Sequence, residues 1–458
     1  MMNVVICGGG QVGSSIASYL TQEDANVTII DNDDAIIRRL NESMDVRAHK
    51  GHAAHPEVLK QAGAKSADMI VAVTSNDEVN MVACQVAHTL FDVPTKIARL
   101  RHQNYLDESW RDLFSANHMP IDFIISPEIE VSEAIHKRLQ VPGAADVLSL
   151  GRGRVHLLGI NIDEETPLIN TAFKQISDLF PDLKMRIICL IREDKICLAK
   201  DELQLQPGDT VYVLVDTKHI RRAMIAFGHE EKEAHRILIA GGGGIGRRLG
   251  KVVEDISDVR AKMIELDSEK AKQVAIELPD TIVIHGDLLD TDLLEEVGIK
   301  RIETFVAVTD DDEFNIMASL LAKKHNCPRV ISLLNTPVYE TLTAQLGIDV
   351  VINPRALTVS SILQHIRRGR VRSVYSIGEG DAEILEVDVI KGSGFADKIV
   401  KELDLPKDVI LGAIVRDKDV IFPDESTEIL VNDRVVTFAP KKAVKKLEKK
   451  FLVKQRII

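Results

Sequence analysis

Cysteine is sparse in this 458-residue chain and carries no pattern. The five, Cys7, Cys84, Cys189, Cys197 and Cys327, are odd in number and lack Cys-x-x-Cys spacing. They exclude a disulfide framework or a cysteine zinc site and fit reduced thiols. Long apolar runs are missing too, since none reaches the roughly 18 to 20 residues that span a bilayer. The opening apolar stretch follows no charged segment and meets glycines at once, so no secretory leader is expected. Basic excess is also lacking. With 57 Lys and Arg against 70 Asp and Glu, the formal net charge of −13 argues against nucleic-acid binding, which draws on many phosphate-neutralising cations. Low-complexity tracts are absent, and the length suits roughly three or four domains. A soluble cytoplasmic protein is the expectation.

What the chain does have is a glycine turn, and it has it twice. Val4-Val5-Ile6-Cys7 runs into Gly8-Gly9-Gly10-Gln11-Val12-Gly13, with glycines at GxGxxG spacing and a helical pattern behind them. In a dinucleotide-binding turn the first glycine makes the bend and the second admits a pyrophosphate to the backbone. The third lets helix and strand pack closely, with phosphates at the positive helix end. The same stretch returns 233 residues later (Gly241 against Gly8) as Gly241-Gly242-Gly243-Gly244-Ile245-Gly246. Further matches keep that order. Val27 to Asp31 pairs with Lys262 to Glu265, Gly51-His52 with Gly286-Asp287, Ala72 to Asn80 with Ala307 to Asn315, and IDFIISP at Ile121 with IDVVINP at Ile348. A duplicated unit accounts for so many registered matches.

Short Val/Ile-rich strands are expected near residues 3–7, 26–31, 45–49, 68–73, 95–99 and 121–125, with amphipathic helices between them. Apolar strands joined by helices mean a parallel sheet covered on both faces. The fold class is therefore α/β, with two doubly wound parallel-sheet (Rossmann-type) domains, each followed by a small α+β lobe. The small lobes share a Leu/Ile-x-x-x-Asp-x-Val pattern, at Leu205 to Val211 and Ile429 to Val435. Expected boundaries are 1–140 and 235–368 for the large lobes and 141–227 and 370–455 for the small ones. Gly228 to Glu233 serves as a polar linker.

Asp31 lies 18 residues beyond Gly13 and Glu265 lies 19 beyond Gly246 (31 − 13; 265 − 246). An acid ending the second strand accepts hydrogen bonds from an adenosine ribose. It also disfavours NADP, because two like charges ~4 Å apart at an effective dielectric of ~20 cost roughly 4 kcal/mol. Asp33 and Asp267 are expected to cap the helices that follow. Thr74, Ser75 and Thr309 follow the fourth strands, where nucleotide contacts gather, and Ser75 has capping-box spacing to Glu78. Asp310, Asp311 and Asp312 suit a solvated helix start. Arg99 and Arg101 end the fifth strand, within reach of a phosphate; the second copy, VISLLN, has no arginine there. His49, His52 and His55 recur every three residues in a loop-like context, which favours His52 as a purine-side contact over a metal site. No catalytic or metal-ligating set emerges. The stretch from Lys441, KKAVKKLEKKFLVKQRII, forms an amphipathic basic helix that closes the last lobe, an anionic membrane surface or acidic partner being the alternative.

The stretches GGGQVG, KGHAAHPEVLKQAGA, ADMIVAVTSNDEVNMVACQVA and KIARLR, with the tandem layout, resemble the RCK (KTN) modules that regulate potassium conductance. The whole chain is similar to the peripheral regulatory subunits of bacterial Trk potassium-uptake systems. That resemblance implies NAD or NADH, or ATP or ADP, held by Gly8 to Val12, Asp31, Thr74, Ser75 and Arg99. In the second module it implies Gly241 to Ile245, Glu265 and Asp287. It further implies a non-enzymatic subunit on the cytoplasmic face of the inner membrane. Such a subunit forms a homo-oligomeric ring on an integral membrane potassium transporter and gates uptake. The alternatives are an NAD-dependent dehydrogenase, which needs an acid or base beside the nicotinamide such as His156 or Lys195, and a regulator of a potassium efflux antiporter. The differences between copies point to two unequal sensors.

Overall fold

The strand Asn3–Cys7 (β1) sits at the middle of a six-stranded parallel sheet. With Asn26–Asp31 (β2), Arg47–Lys50 (β3), Met69–Ala72 (β4), Thr95–Arg99 (β5) and Phe123–Ile125 (β6), the order is β3-β2-β1-β4-β5-β6. The strand order reverses at β1, between β2 and β4, and a crevice opens there beyond the carboxyl ends. All four residues of β4 are buried, as a strand covered by helices on both faces requires. The computed structural model describes the chain except residues 1, 23–24, 116, 232, 337, 340–341, 343–345, 367–370, 379–380 and 452–458.

The second large lobe repeats this order with Ile282–His285, Arg260–Glu265, Arg236–Ala240, Thr304–Ala307, Arg329–Leu333 and Val350–Ile352. Register is also repeated: Cys7 stands beside Ile30 and Ala72, and Ala240 beside Ile264 and Ala307. β6 has three residues where the pattern suggested five. Asp122 is drawn out of the strand, its Oδ2 accepting from the Lys96 backbone N–H at 2.7 Å and pairing with Lys96 Nζ at 2.9 Å.

Two five-stranded antiparallel sheets make up the small lobes. One orders Lys195–Leu198, Met185–Arg192, Thr210–Asp216, Val155–Asn161 and Ala144–Leu150; the other runs from Val371–Ile377 to Asp419–Ile421. The aspartate in each repeated motif is 1% exposed. Asp209 takes two hydrogen bonds from Arg192, both 2.7 Å, and one from the Gln206 N–H at 2.8 Å. Asp433 does the same with Arg416, at 2.8 Å twice, and with Leu430 N–H at 2.8 Å. The motif is thus a buried arginine clasp that fixes the turn before a central strand.

The chain divides into two compact units, Met1–Glu133 with His235–His365, and Ala134–Ala234 with Ile366–Ile458. Each brings together like lobes from the two halves of the sequence. In the first, Ser361 Oγ donates to Glu130 Oε1 at 2.9 Å and the rings of Phe123 and His365 lie 4.1 Å apart. In the second, Leu150, Leu157, Ile188 and Leu214 share one buried core with Ile384, Ala413, Val436 and Phe438. The basic helix Lys441–Phe451 buries Ala443, Val444, Leu447 and Phe451, and Phe451 stacks on Phe395 at 4.1 Å. The remainder of that stretch lies outside the described residues. All five cysteines are free thiols, and burial alone pushes Cys7 up to about 12, well out of the reactive range.

Candidate functional site

The glycine turn is held by contacts that tolerate no side chain. Gly8 has φ +108°, and a Cβ there would stand 2.9 Å from Thr74 N. A Cβ on Gly13 would meet the Gly8 carbonyl oxygen at 1.9 Å. Gly10 faces open space, with nothing within 4 Å. Asp31 braces the turn: its Oδ2 accepts from Gly9 N–H at 2.6 Å and its Oδ1 from Asp33 N–H at 2.9 Å. Glu265 braces the second turn alike, from Gly242 at 2.7 Å and Asp267 at 2.9 Å. Asp33 and Asp267 cap the next helices, accepting from Ala35 at 2.7 Å and from Glu269 and Lys270 at 2.9 Å.

A cleft of about 690 Å³ opens over this turn. Its walls include Gly8, Gly10, Gln11, Val12, Asp31, His52, Thr74, Ser75, Arg99 and Arg101. Gly9 and Gly13 belong to the turn itself. Thr74 is already engaged, its hydroxyl donating to Asn80 Oδ1 at 2.7 Å while its N–H donates to the same oxygen at 2.9 Å. Asn80, fully buried, also donates to the Arg99 carbonyl at 2.9 Å, tying β4 to β5. Thr309 and Asn315 repeat the arrangement in the second lobe, at 2.7 and 3.1 Å. The capping box at Ser75 does not form. Asn76 takes the cap position and accepts from Val79 N–H at 2.7 Å, because the turn made by Thr74 carries the chain one residue further before the helix starts.

Arg99 is 7% exposed at the cleft. Its Nη2 donates to the Thr74 carbonyl at 2.8 Å, while its Nε is buried without a hydrogen-bond partner among the described residues. Burial, and then the charge of Arg101, pulls this guanidinium down to about 10. Arg101 is placed by Asp77, whose Oδ2 accepts its backbone N–H. A buried guanidinium at the cleft of a glycine turn, its Nε without a partner among the described residues, favours an anionic guest.

The second lobe supplies the far wall. Asn335, Pro354, Arg355 and Thr358 all face the first lobe's cleft. None follows from a motif within one module. The registered match of IDFIISP with IDVVINP makes Pro354-Arg355 the counterpart of Pro127-Glu128 but does not say which cleft either one faces.

The aspartate run in the second lobe is not simply solvated. Asp311 caps its helix through Phe314 N–H at 2.8 Å. Asp312 is 7% exposed and accepts from the backbone N–H groups of Asn335 and Thr336, both at 2.9 Å. The loop beyond the fifth strand needs that anchor, so the carboxylate is drawn inward. Asp287 accepts from Leu289 N–H at 2.9 Å, closing a local turn. No cluster of three or more potential metal ligands occurs among the described residues. His52 and His55 contact each other, their rings 4.7 Å apart.

Residues 4–127 and 237–354 each match the TrkA-N domain family, and residues 384–452 match the TrkA-C domain. The Trk system potassium uptake protein TrkA of Azorhizobium caulinodans is 42% identical over 99% of both chains. That of Vibrio alginolyticus is 37% identical over 95% of both. The chain belongs to the TrkA family. Among solved structures, the GsuK RCK domain superposes with a TM-score of 0.61 at 16% identity, over 98% of this chain and 95% of that one. A GsuK channel bound to NAD gives 0.60 at 17%, over 98% and 79%. At such identities the likeness is one of fold, and it is the RCK fold expected from the motifs. No helix among the described residues is long and apolar enough to cross a membrane.

Proposed function

We propose that this chain is the nucleotide-binding regulatory subunit of a membrane potassium-transport system. In this reading it binds NAD(H) or an adenine nucleotide in the first cleft and gates potassium uptake accordingly. The observation that carries the reading is the first cleft itself, an open glycine turn facing three arginines, within a member of the TrkA family. The residues suit the ligand class. Gly10 leaves room for a phosphate, Asp31 ends the second strand beside the cleft, and Arg99 Nε awaits an acceptor. His52 and Ser75 line the remaining wall.

The cleft is walled by two lobes, and that suits sensing. A bound nucleotide supplies negative charge and bridging hydrogen-bond acceptors. Arg99 and Arg101 hold one side of the cleft, and Arg355 and Asn335 close on it from the other. A ligand that binds one lobe arrangement tenfold better than another shifts their balance tenfold, about 1.4 kcal/mol. The names of the relatives support potassium uptake as the output, and the assembly expected is a homo-oligomeric ring on the cytoplasmic face of an integral membrane transporter subunit.

Calorimetric titration of the intact protein with NADH and with ATP, beside an NADH-turnover assay over a panel of metabolites, tests this. Saturable binding without turnover supports the reading. Sustained turnover with any metabolite favours the dehydrogenase alternative.

A further inference from the structure

The second glycine turn differs from the first in what stands opposite it. In the paired sheets, Arg99 corresponds to Leu333 and Arg101 to Asn335, because Ala72 aligns with Ala98 just as Ala307 aligns with Ser332. The IDFIISP and IDVVINP match sets Arg355 against Glu128, and Gly51-His52 against Gly286-Asp287 sets His52 against Asp287. The first cleft gathers three arginines, Arg99, Arg101 and Arg355, with the carboxylates Asp31 and Asp33 on its wall. The corresponding positions of the second turn offer Glu128, Glu265, Asp267 and Asp287, with Leu333 and Asn335 in place of the strand-end arginines.

The structure also brings Glu128 onto the turn. It is the second residue of the helix Pro127–Gln140, and its Oε2 accepts from Ser126 Oγ at 3.0 Å, which fixes the side chain. A Cβ built on Gly244 would stand 3.0 Å from Glu128 Cγ and 3.6 Å from its Oε1. The corresponding residue in the first turn is Gln11. Gly244 begins the helix Gly244–Glu254, where the free N–H groups of a dinucleotide turn would meet phosphate. The missing side chain at position 244 is therefore filled by a carboxylate from the other lobe. Burial pushes the Glu128 carboxyl up, partly offset by its hydrogen bonds and the charge of Arg101, and Arg99 feels the Glu128 charge in turn.

We infer that Glu128 closes the second glycine turn to nucleotide polyphosphates by occupying its anion position, so that each chain holds a single nucleotide, in the first cleft. This rests on the first cleft being a nucleotide site, and it makes the duplicated motif a structural mimic of that site. Glu128 supplies negative charge where a ligand would, and it arrives from the lobe that carries the working cleft. A guest at the second turn has to displace it, and the second lobe's own strand end, Leu333 to Asn335, has no arginine to receive the phosphates.

The test is the number of nucleotides bound per intact chain, by calorimetry or equilibrium dialysis with NADH and with ATP. Wild type is expected to bind one, and Glu128→Gln or Glu128→Arg to bind two. With Gly10→Asp blocking the first cleft, the count falls to zero in the wild-type background and to one beside Glu128→Arg. Two comparable sites in wild type overturn the inference. So does a count that stays at one in both Glu128 variants. Wild type binding no nucleotide overturns the reading of the first cleft instead.

Discussion

Asp77 Oδ2 accepts the backbone N–H of Arg101 at 2.9 Å, and that of His102 at 2.8 Å. Two charge-assisted hydrogen bonds thus set the path of the chain as it leaves β5, and with it the position of Arg101 at the cleft wall. Asp77→Ala is expected to lower stability by about 1–3 kcal/mol and to weaken nucleotide binding about tenfold. Urea unfolding and NADH titration measure the two effects. Unchanged affinity would show that Arg101 needs no such placement.

Arg99 gives the opposite combination. Among the described residues its Nε has no partner and its side chain makes one hydrogen bond, to the Thr74 carbonyl, while burial depresses its pKa to about 10, so its guanidinium contributes little to the ligand-free fold. Arg99→Met is expected to leave thermal stability without ligand within about 1 kcal/mol of wild type. Affinity should fall about 10- to 100-fold, the worth of one charged hydrogen bond of about 1.5–3 kcal/mol. Thermal shift with and without NADH reads both. A large loss of stability without ligand would make Arg99 a structural residue.

Asp312 predicts an acid limit for the second large lobe. Burial pushes its carboxyl up, but the hydrogen bonds from Asn335 and Thr336 together outweigh it and hold the pKa below its usual 3.8. A group depressed in the folded state contributes its stability above the unfolded pKa and loses it as pH falls through the folded one. Asp312→Asn should therefore be less stable than wild type at pH 6, and the gap should narrow below about pH 4. Urea unfolding at pH 6 and pH 3 compares them. A gap of equal size at both rejects the carboxylate's role.

The small lobes rest on their arginine clasps. Asp209→Asn leaves Arg192 and the Gln206 N–H short of charged acceptors and should cost about 2–3 kcal/mol. Asp433→Asn should cost about the same through Arg416 and Leu430. Calorimetric unfolding of each variant checks the equivalence, and a markedly smaller loss at one site would mean that the repeated motif is held differently there.

Much of this was legible from the residues. Glycine spacing and apolar strands led to the doubly wound sheets, because a buried parallel strand has little choice of composition. Asp31 and Glu265 were placed by their distance from the turn, and both end the second strand. Ser75 misled because its spacing to Glu78 suits a cap, whereas Thr74 and Asn80 make a turn that passes the cap to Asn76. Asp312 looked solvated beside Asp310 and Asp311, since nothing local announces that a distant loop will need its carboxylate. Arg355 and Glu128 were invisible for a deeper reason. A linear repeat says which segments are alike, not which of them touch. Only the pairing of large lobe with large lobe brings position 355 to the first cleft and position 128 to the second turn.

Potassium uptake decides the central claim. In cells lacking this protein, uptake is to be measured after restoring wild type or Gly10→Asp, with protein amounts matched. The account predicts that wild type restores nucleotide-responsive uptake and that Gly10→Asp, whose new side chain fills the open space over the turn, does not. Equal restoration by both, or uptake indifferent to the protein's absence, would contradict it.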